Sequence, residues 1–384
     1  MTLVDYDPFD PGVIADPYPW YAELRAGSPV RFVEQHGVWA VSRYADVLHV
    51  LRDPATYSSA PMAAGMGPAL DTLISQSAQS GGFRWLLSAD PPDHTALRRM
   101  VSKPFVPRVI AELERRIDEI ANDLVDELVK AEAPDLVRDL AFPLPVIVIA
   151  ELLGIPPERR EDFKRWSNAI VDILTPTGPS IDSLTAGMEM HQFFLGMVEE
   201  RTASPGDDLI SGLINPELTV GEIVLFCVLL LIAGNETTTN LLGNFARSAL
   251  GQVRDAAALP AAIEEVLRYD SPVQMIYRVT TTPTTLAGVD LAAGATVLVL
   301  LGSANRDETV FDRPEELRLD RSPNEHVAFG NGTHFCLGAP LARLEARVAL
   351  RTLLDRAPNL RISGPLVATE NAMLRGLLSI PVAV

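Results

Sequence analysis

Residues 329–338 read F-G-N-G-T-H-F-C-L-G and lead directly into a helical stretch over 339–355. Gly330 and Gly332 permit backbone conformations that other residues avoid, and they let a flat ligand approach the chain. Cys336 stands just before a helix N-terminus, where the dipole and free N–H groups stabilise a thiolate. Gly338 permits close packing of that helix against whatever lies over the sulfur. His334, two residues before the cysteine, can reach a ligand carboxylate. A single thiolate in a glycine-lined loop suits the axial ligand of a haem iron. The other reading of such a residue is a buried, inert thiol beside a turn.

Upstream lies the longest apolar pattern in the chain, residues 218–250. It opens with a capping box, Thr219 and Glu222, and is apolar almost all round, so it belongs inside the protein. Its middle reads Ala233-Gly234-Asn235-Glu236-Thr237-Thr238. Polar groups inside an apolar helix are costly without partners. Gly234 costs about 1 kcal/mol of helix propensity relative to alanine. A local rule broken within a strong helix points to function. Gly234 and Thr237 can open the backbone ladder to water or a diatomic ligand. Glu236 can gate protons from solvent, and the Thr237 hydroxyl can pass them on. Alternatively, the threonines bond back to the preceding turn.

Two further segments carry paired charges. In A-A-I-E-E-V-L-R-Y (261–269), Glu265 and Arg268 are three apart and share a helix face, while Glu264 and Arg268 fit a surface pair at four apart. In D-P-P-D-H-T-A-L-R-R (90–99), a proline turn starts a helix with His94 and Arg98 on one face, and arginine suits a bidentate carboxylate contact.

Together these segments resemble the cytochromes P-450. The cysteine segment matches the family signature F-G-x-G-x-H-x-C-x-G at every defined position. The A-G-N-E-T run resembles the A-G-x-E/D-T element of the family's central helix, where the acid and the threonine help deliver protons to dioxygen. That assigns Glu236 and Thr237 to catalysis. The family's E-x-x-R helix selects Glu265 and Arg268 as a structural pair, completed by Arg306 of Ala304-Asn305-Arg306-Asp307. By matching position, His94, Arg98, Arg278 and His334 bind haem propionates, while Phe329, Gly330 and Gly338 flank the haem and Cys336 ligates its iron. The resemblance runs from Asp16-Pro17-Tyr18-Pro19 to the last strands. It implies a mainly α fold, with a large helical region, a small β-rich region and haem b between two central helices. It also implies a monooxygenase that inserts one atom of O2 into an organic substrate. The pocket-lining regions by resemblance are the loop 58–88, with Asp71 and Arg84 its charged members, then Leu229, Ile232 and Ala233, then Val273 to Ile276, and Met373 and Leu374. They are largely aliphatic, which favours a small, neutral, hydrophobic substrate such as a terpenoid, steroid, fatty acid or polyketide-like secondary metabolite.

Composition agrees with a folded globular chain. Of 384 residues, 47% are hydrophobic and 21% charged, too apolar for disorder. Thirty-two Lys and Arg against 50 Asp and Glu give a net charge of −18, which repels nucleic-acid phosphates. Two cysteines, Cys227 and Cys336, exclude a disulfide framework and suit the cytoplasm. The first 19 residues are acidic and proline-rich, with neither a signal-peptide nor an anchor pattern. The longest apolar run, 223–233, is too short to span a bilayer, which takes about 20 residues. The motifs fill the length, so residues 1–384 are expected to be one domain and a monomer, without a fused reductase or membrane anchor.

Electrons are therefore expected from a separate protein. Residues 94–116 carry six Lys or Arg against two Glu, and residues 338–361 five Arg against two acids. By resemblance both segments flank the thiolate side of the haem. A basic patch there, including Arg343, Arg347 and Arg351, would dock an acidic ferredoxin-like donor served by its reductase. The alternative is that these arginines are paired internally. Two other functions use the same cofactor. A peroxide-dependent peroxygenase needs no acid–alcohol pair, and a haem-based sensor needs no donor patch.

Helical periodicity is expected over 109–131, 142–153, 157–174 and 181–202, with strands at 30–32, 38–41, 277–281, 296–300 and 377–382.

Overall fold

The structure is a computed structural model and describes residues 6–60, 84–173 and 180–384. After a one-turn helix, Pro11–Ala15, come helix α1 (Tyr18–Gly27) and a hairpin, β1 (Val30–Val33) and β2 (Val38–Val41), turning at Gly37 with φ +64°. Helix α2 (Tyr44–Arg52) and strand β3 (Tyr57–Ser58) follow. Two later strands, β4 (Ile276–Thr280) and β5 (Thr296–Val299), join them in a five-stranded sheet of order β1-β2-β5-β4-β3. Only the β2–β5 pairing is parallel.

The rest is helical. Helix α3 (Asp93–Val101) precedes α4 (Glu114–Lys130), α5 (Pro143–Leu152), α6 (Arg160–Ile173) and α7 (Ile181–Ala203). The expected 109–131 helix is interrupted: a short helix Pro107–Glu112 ends at Leu113, whose N–H turns back onto the Ile110 and Ala111 carbonyls. Residue 174, expected to end a helix, lies outside the described residues. So do residues 61–83 of the expected pocket loop, Asp71 among them.

Helix α8 (Val220–Ala249) is the axis of the molecule. Its capping box is formed, with Thr219 Oγ1 accepting from the Glu222 N–H at 3.2 Å and Glu222 Oε2 accepting from the Thr219 N–H at 2.9 Å. It is long and apolar enough to cross a membrane, but more than half of that window is buried in the protein. It packs on α5, α7, α6, α9 (Leu259–Tyr269) and α10 (Ala339–Arg356). Each buried Leu, Ile or Phe contributes roughly 1.5–3 kcal/mol, so several of them outweigh the propensity lost at Gly234. Gly234 also has a packing reason: a Cβ there would lie 2.6 Å from Ile149 Cδ1 on α5.

The last strand is shorter than its sequence pattern. Strand β6 (Val367–Ala368) pairs with β7 (Leu377–Ser379), and Pro381, which has no N–H, separates β7 from the Val382–Ala383 strand. There the backbone is held instead by the segment before α5: Asp135 Oδ2 accepts from the Ile380 N–H at 3.0 Å, and the Leu136 N–H donates to Ile380 O at 2.9 Å.

Candidate active site

The 329–338 loop folds as its glycines require. Gly330 and Gly332 have φ +70° and +71°. A Cβ on Gly332 would lie 2.4 Å from Leu51 O, so only glycine lets the loop seat against α2. The Cys336 N–H closes the loop onto Phe329 O at 2.9 Å. The sulfur then stands at the N-terminus of α10. Burial pushes the Cys336 thiol up, while the Gly338 and Ala339 N–H groups, Arg98 and Arg343 pull it back down. Cys227, by contrast, is fully buried within α8, and burial, with a smaller contribution from Asp208, raises it far.

Cys336 opens on a cavity of about 290 Å³ between α8 and the start of α10. The α8 wall is Leu229, Ala233, Gly234 and Thr237; Phe329, Gly330, Leu337, Gly338 and Leu341 form the opposite wall. One edge is polar and holds His94, Arg98, Arg278 and His334. Helix α3 places His94 and Arg98 four apart on one face. Strand β4 alternates, so Arg278 points inward beside Ile276, two residues away. The His94 and His334 rings lie 4.0 Å apart, and both Nε2 atoms are buried without a partner. Burial lowers His334 to about 3 and Arg278 to about 10. The Asp90 carboxylate acts on both Arg278 and His94, favouring their charged forms, and accepts the Ser59 N–H at 2.8 Å. Unpartnered imidazole nitrogens and a buried cation at one edge of the cavity suit an anion. A planar group with carboxylates on that edge and a soft metal facing Cys336 fits these residues.

The chain's similarity to known proteins agrees. Residues 249–357 match the family model for Cytochrome P450. The chain is 39% identical over 383 residues to the putative cytochrome P450 YjiB of Bacillus subtilis, covering 94% of this chain and 92% of that protein. The chain belongs to the cytochrome P450 family.

This P450 is also 40% identical to the erythromycin C-12 hydroxylase of Saccharopolyspora erythraea, over 94% of this chain and 92% of that one. The crystal structure of CYP109E1 from Bacillus megaterium in complex with testosterone superposes with a TM-score of 0.83 at 39% identity, covering 96% of this chain and 99% of that chain. The fold is therefore the P450 fold, and the protein is an oxidoreductase, a P450 monooxygenase, using haem with a cysteine thiolate and O2.

In this P450 the acid and alcohol of α8 take different positions. Thr237 lines the cavity and its hydroxyl donates to Ala233 O at 2.6 Å, the back-bonding alternative weighed above. Glu236 does not line the cavity; it is half-buried, and burial raises its carboxyl to about 7. The neighbouring Asn235 is fully buried and donates to Ser167 Oγ on α6 at 2.5 Å.

The Glu–Arg pair is Glu265 with Arg268, and the third partner differs from expectation. Arg321, not Arg306, completes it, with Nε 3.1 and 3.0 Å from the two Glu265 oxygens. Arg306 turns away: its Nε donates to Tyr269 O at 2.9 Å, and its guanidinium stacks 3.5 Å from the Tyr18 ring. Its neighbour Asn305 makes the link instead, giving its carbonyl to Arg268 Nη1 at 3.0 Å and its side-chain oxygen to the Val327 N–H at 2.7 Å, just before the cysteine loop. Glu264 faces outward to Arg343 and His326; burial pushes it up, but those two partners prevail and hold it at about 2.

Of the expected pocket residues, Leu229, Ala233, Val273 and Ile276 line the cavity, and Ile232, Met373 and Leu374 do not. Ile232 belongs to the helix core, Met373 packs against the cluster around Tyr18, and Leu374 is used in a β-bridge to Val273. Leu86, Leu87, Phe105, Ile149, Leu152 and Phe226 are among the further apolar lining residues. Arg84 is not part of it: it pairs with Glu222 at the start of α8 at 2.7 Å.

The arginine row of α10 is not a free patch. Arg343 pairs with Glu264 at 2.6 Å, Arg347 with Glu114 at 3.0 Å and Arg351 with Asp118 at 2.8 Å. Helices α4 and α9 supply those acids, so the row is neutralised by its own neighbours. Lys103 and Arg108, ahead of α4, are exposed and have no ion-pair partner among the described residues.

Proposed function

We propose that Cys336 is the iron ligand of this P450 and that residues 1–384 act as one soluble, monomeric, cytoplasmic domain. It would hydroxylate or epoxidise a small, neutral, hydrophobic substrate. The observation that carries this reading is the cavity itself: a thiol at a helix N-terminus on one side, an aliphatic α8 wall on the other, and unpartnered imidazole nitrogens beside Arg278 at one edge. Haem b supplies O2 activation, with thiolate donation favouring O–O cleavage.

The chain's own residues have separable tasks. His94, Arg98, Arg278 and His334 hold the propionates, giving the buried cations their anions. Phe329, Gly330 and Gly338 flank the ring. Thr237 presents a hydroxyl to the cavity, and Glu236, protonated near neutrality, replenishes it from solvent. Leu86, Leu87, Leu229, Ala233, Val273 and Ile276 exclude water and orient an apolar substrate. An erythromycin C-12 hydroxylase among the relatives and testosterone bound in a structural neighbour support an organic substrate with a largely apolar frame.

Electrons are supplied by a separate acidic, ferredoxin-like protein with its reductase. Lys103 and Arg108 are the free cations for its docking. They stand beside exposed Val106 and Val109, next to an apolar groove with Ile110, Ile263 and Leu344 among its lining residues.

The test is the spectrum of the reduced protein with carbon monoxide. The thiolate-ligated Soret position is expected in the wild type and is lost in Cys336→Ser. A band elsewhere that survives Cys336→Ser unchanged would overturn the ligand assignment. Product formation from hydrogen peroxide alone, at the rate seen with ferredoxin, would favour a peroxygenase. Substrate-induced spin-state shifts across steroid and macrolide libraries then define the substrate.

A further inference from the structure

Part of the cavity wall is not helical. Beyond the end of α9, Pro272, Val273 and Ile276 line the cavity from a segment that leads into β4. A second segment backs it. Val273 pairs with Leu374 in an antiparallel bridge, the Gln274 N–H donates to Met373 O at 2.8 Å, and the Arg375 N–H donates to Pro272 O at 2.8 Å. Met373 and Leu374 thus support the wall without lining it. So short a pair of strands is marginal by itself, so its position depends on what it is tied to.

The tie is Asn244 of α8, fully buried and about two turns beyond Thr237. Its Nδ2 donates to Asp270 O at 2.9 Å and to Arg375 O at 3.0 Å, one carbonyl from each segment. Its Oδ1 accepts from Arg247 Nη2 at 3.1 Å. A guanidinium only donates, so this contact fixes which way the amide points. The same residues meet again at the Asp270 carboxylate. Arg247 Nε donates to Oδ2 at 3.0 Å, while Arg375 Nε and the Tyr18 hydroxyl donate to Oδ1 at 3.0 and 3.1 Å. Burial pushes the Asp270 carboxyl up, but Arg247 and Arg375 prevail and hold it below its ordinary value. One turn earlier on α8, the backbone at Gly376 lies so close to Asn240 that a Cβ would overlap it. A buried network with its members satisfied holds one arrangement.

We propose that Asn244 is a specificity-determining residue of this P450: by tying the Asp270 and Arg375 carbonyls to α8, it sets where Val273 and Ile276 stand relative to Ala233 and Thr237, and so which substrate outlines the cavity accepts. The inference rests on the haem-thiolate reading above. Asn244, Arg247, Asp270 and Arg375 do not line the cavity. Asn244 acts through the backbone that carries the wall, and it is therefore a positioning residue, not a catalytic one. Close-packed interiors do not refill a displaced wall freely, so a small shift of this segment changes which apolar groups fit against it.

Two isomeric azoles, 1-phenylimidazole and 4-phenylimidazole, read the wall in the haem-loaded protein. Each offers an imidazole nitrogen to the iron and a phenyl group to the cavity, and they differ in the direction the phenyl takes. Imidazole, which has no phenyl group, is the reference. The Kd of each comes from the Soret shift. Asn244→Ala is expected to change the ratio of the two phenylimidazole Kd values by roughly tenfold, the low end of what one apolar contact discriminates, with the imidazole Kd little changed. Arg247→Met keeps the apolar stem but removes the group that orients the amide; it should move the same ratio in the same direction, by less. Equal weakening of all three azoles, or an unchanged ratio, makes Asn244 a residue of stability alone and overturns the proposal. Where Asn244→Ala does not retain haem, Arg247→Met decides, and an unchanged ratio there overturns the proposal. Failure of the haem-thiolate reading appears separately, in the carbon monoxide spectrum of the wild type.

Discussion

The carboxylate of Glu265 accepts hydrogen bonds from Nε and Nη2 of Arg268 at 2.8 Å each, and neither side chain is exposed. The pair is also cross-linked to a later stretch of the chain: Arg268 donates to the Asn305, Pro314 and Glu316 carbonyls, and Glu265 accepts from Arg321, Asn324 and the Arg318 N–H. One buried ion pair thus pins the 305–327 stretch that leads into the cysteine loop.

Breaking a buried pair by removing one partner leaves an uncompensated charge. Glu265→Gln is expected to cost about 3–5 kcal/mol. Arg321→Leu should fall in the same range. Arg306→Leu should cost less, about 1–2 kcal/mol, because it loses aromatic stacking and a pair with a half-exposed Glu315. Urea unfolding of the haem-loaded variants orders the three; an Arg306 effect larger than that of Arg321 contradicts the geometry.

Glu236 gives a pH prediction with a definite sign. Burial raises its carboxyl from 4.5 to about 7. The folded state then binds this proton more tightly than the unfolded chain, so stability falls as pH rises from 4.5 to about 7 and levels off above. Proton supply to Thr237 weakens over the upper part of the same range, and more dioxygen should leave as peroxide. Glu236→Gln should remove both trends. Urea midpoints and peroxide yields measured against pH check them together.

Local sequence was sufficient where local geometry sets the outcome. The glycine positions of the cysteine loop, the capping box of α8 and the spacing of Glu265 and Arg268 are all decided within a few residues. What escaped depends on contacts distant in sequence. Arg321 meets Glu265 from 56 residues away, out of a loop with no periodicity. The arginine row reads as a patch because its acids come from α4 and α9. Ile232, Met373 and Leu374 have the right apolar character, but the packing turns them from the cavity.

Donor docking separates two cations that a charge count treats alike. Lys103 is exposed and free, so Lys103→Glu should slow reduction by ferredoxin at low salt and flatten its salt dependence, with little change in stability. Arg347 is two-thirds covered and 3.0 Å from Glu114. Arg347→Glu places two carboxylates together, and its main effect should be on unfolding. Stopped-flow reduction at two ionic strengths, beside urea unfolding, distinguishes them. A larger salt-dependent loss in Arg347→Glu than in Lys103→Glu would move the docking site onto α10.

Gly234 lies where two demands meet, helix packing and an open groove beside Thr237. A Cβ there would press on Ile149 Cδ1 at 2.6 Å, and that atom is the end of a flexible side chain on the cavity wall. Alanine regains about 1 kcal/mol of helix propensity, while overpacking costs typically 1–3 kcal/mol. Gly234→Ala should therefore destabilise by no more than about 2 kcal/mol. The displaced Ile149 tip, however, moves into the space a substrate uses. Substrate-induced spin shifts should weaken more than stability does, and Ile149→Val, which removes the clashing atom, should restore them in the double variant. If the double variant binds no better than Gly234→Ala, the glycine is required for the groove beside Thr237 and not for the packing of α5 on α8.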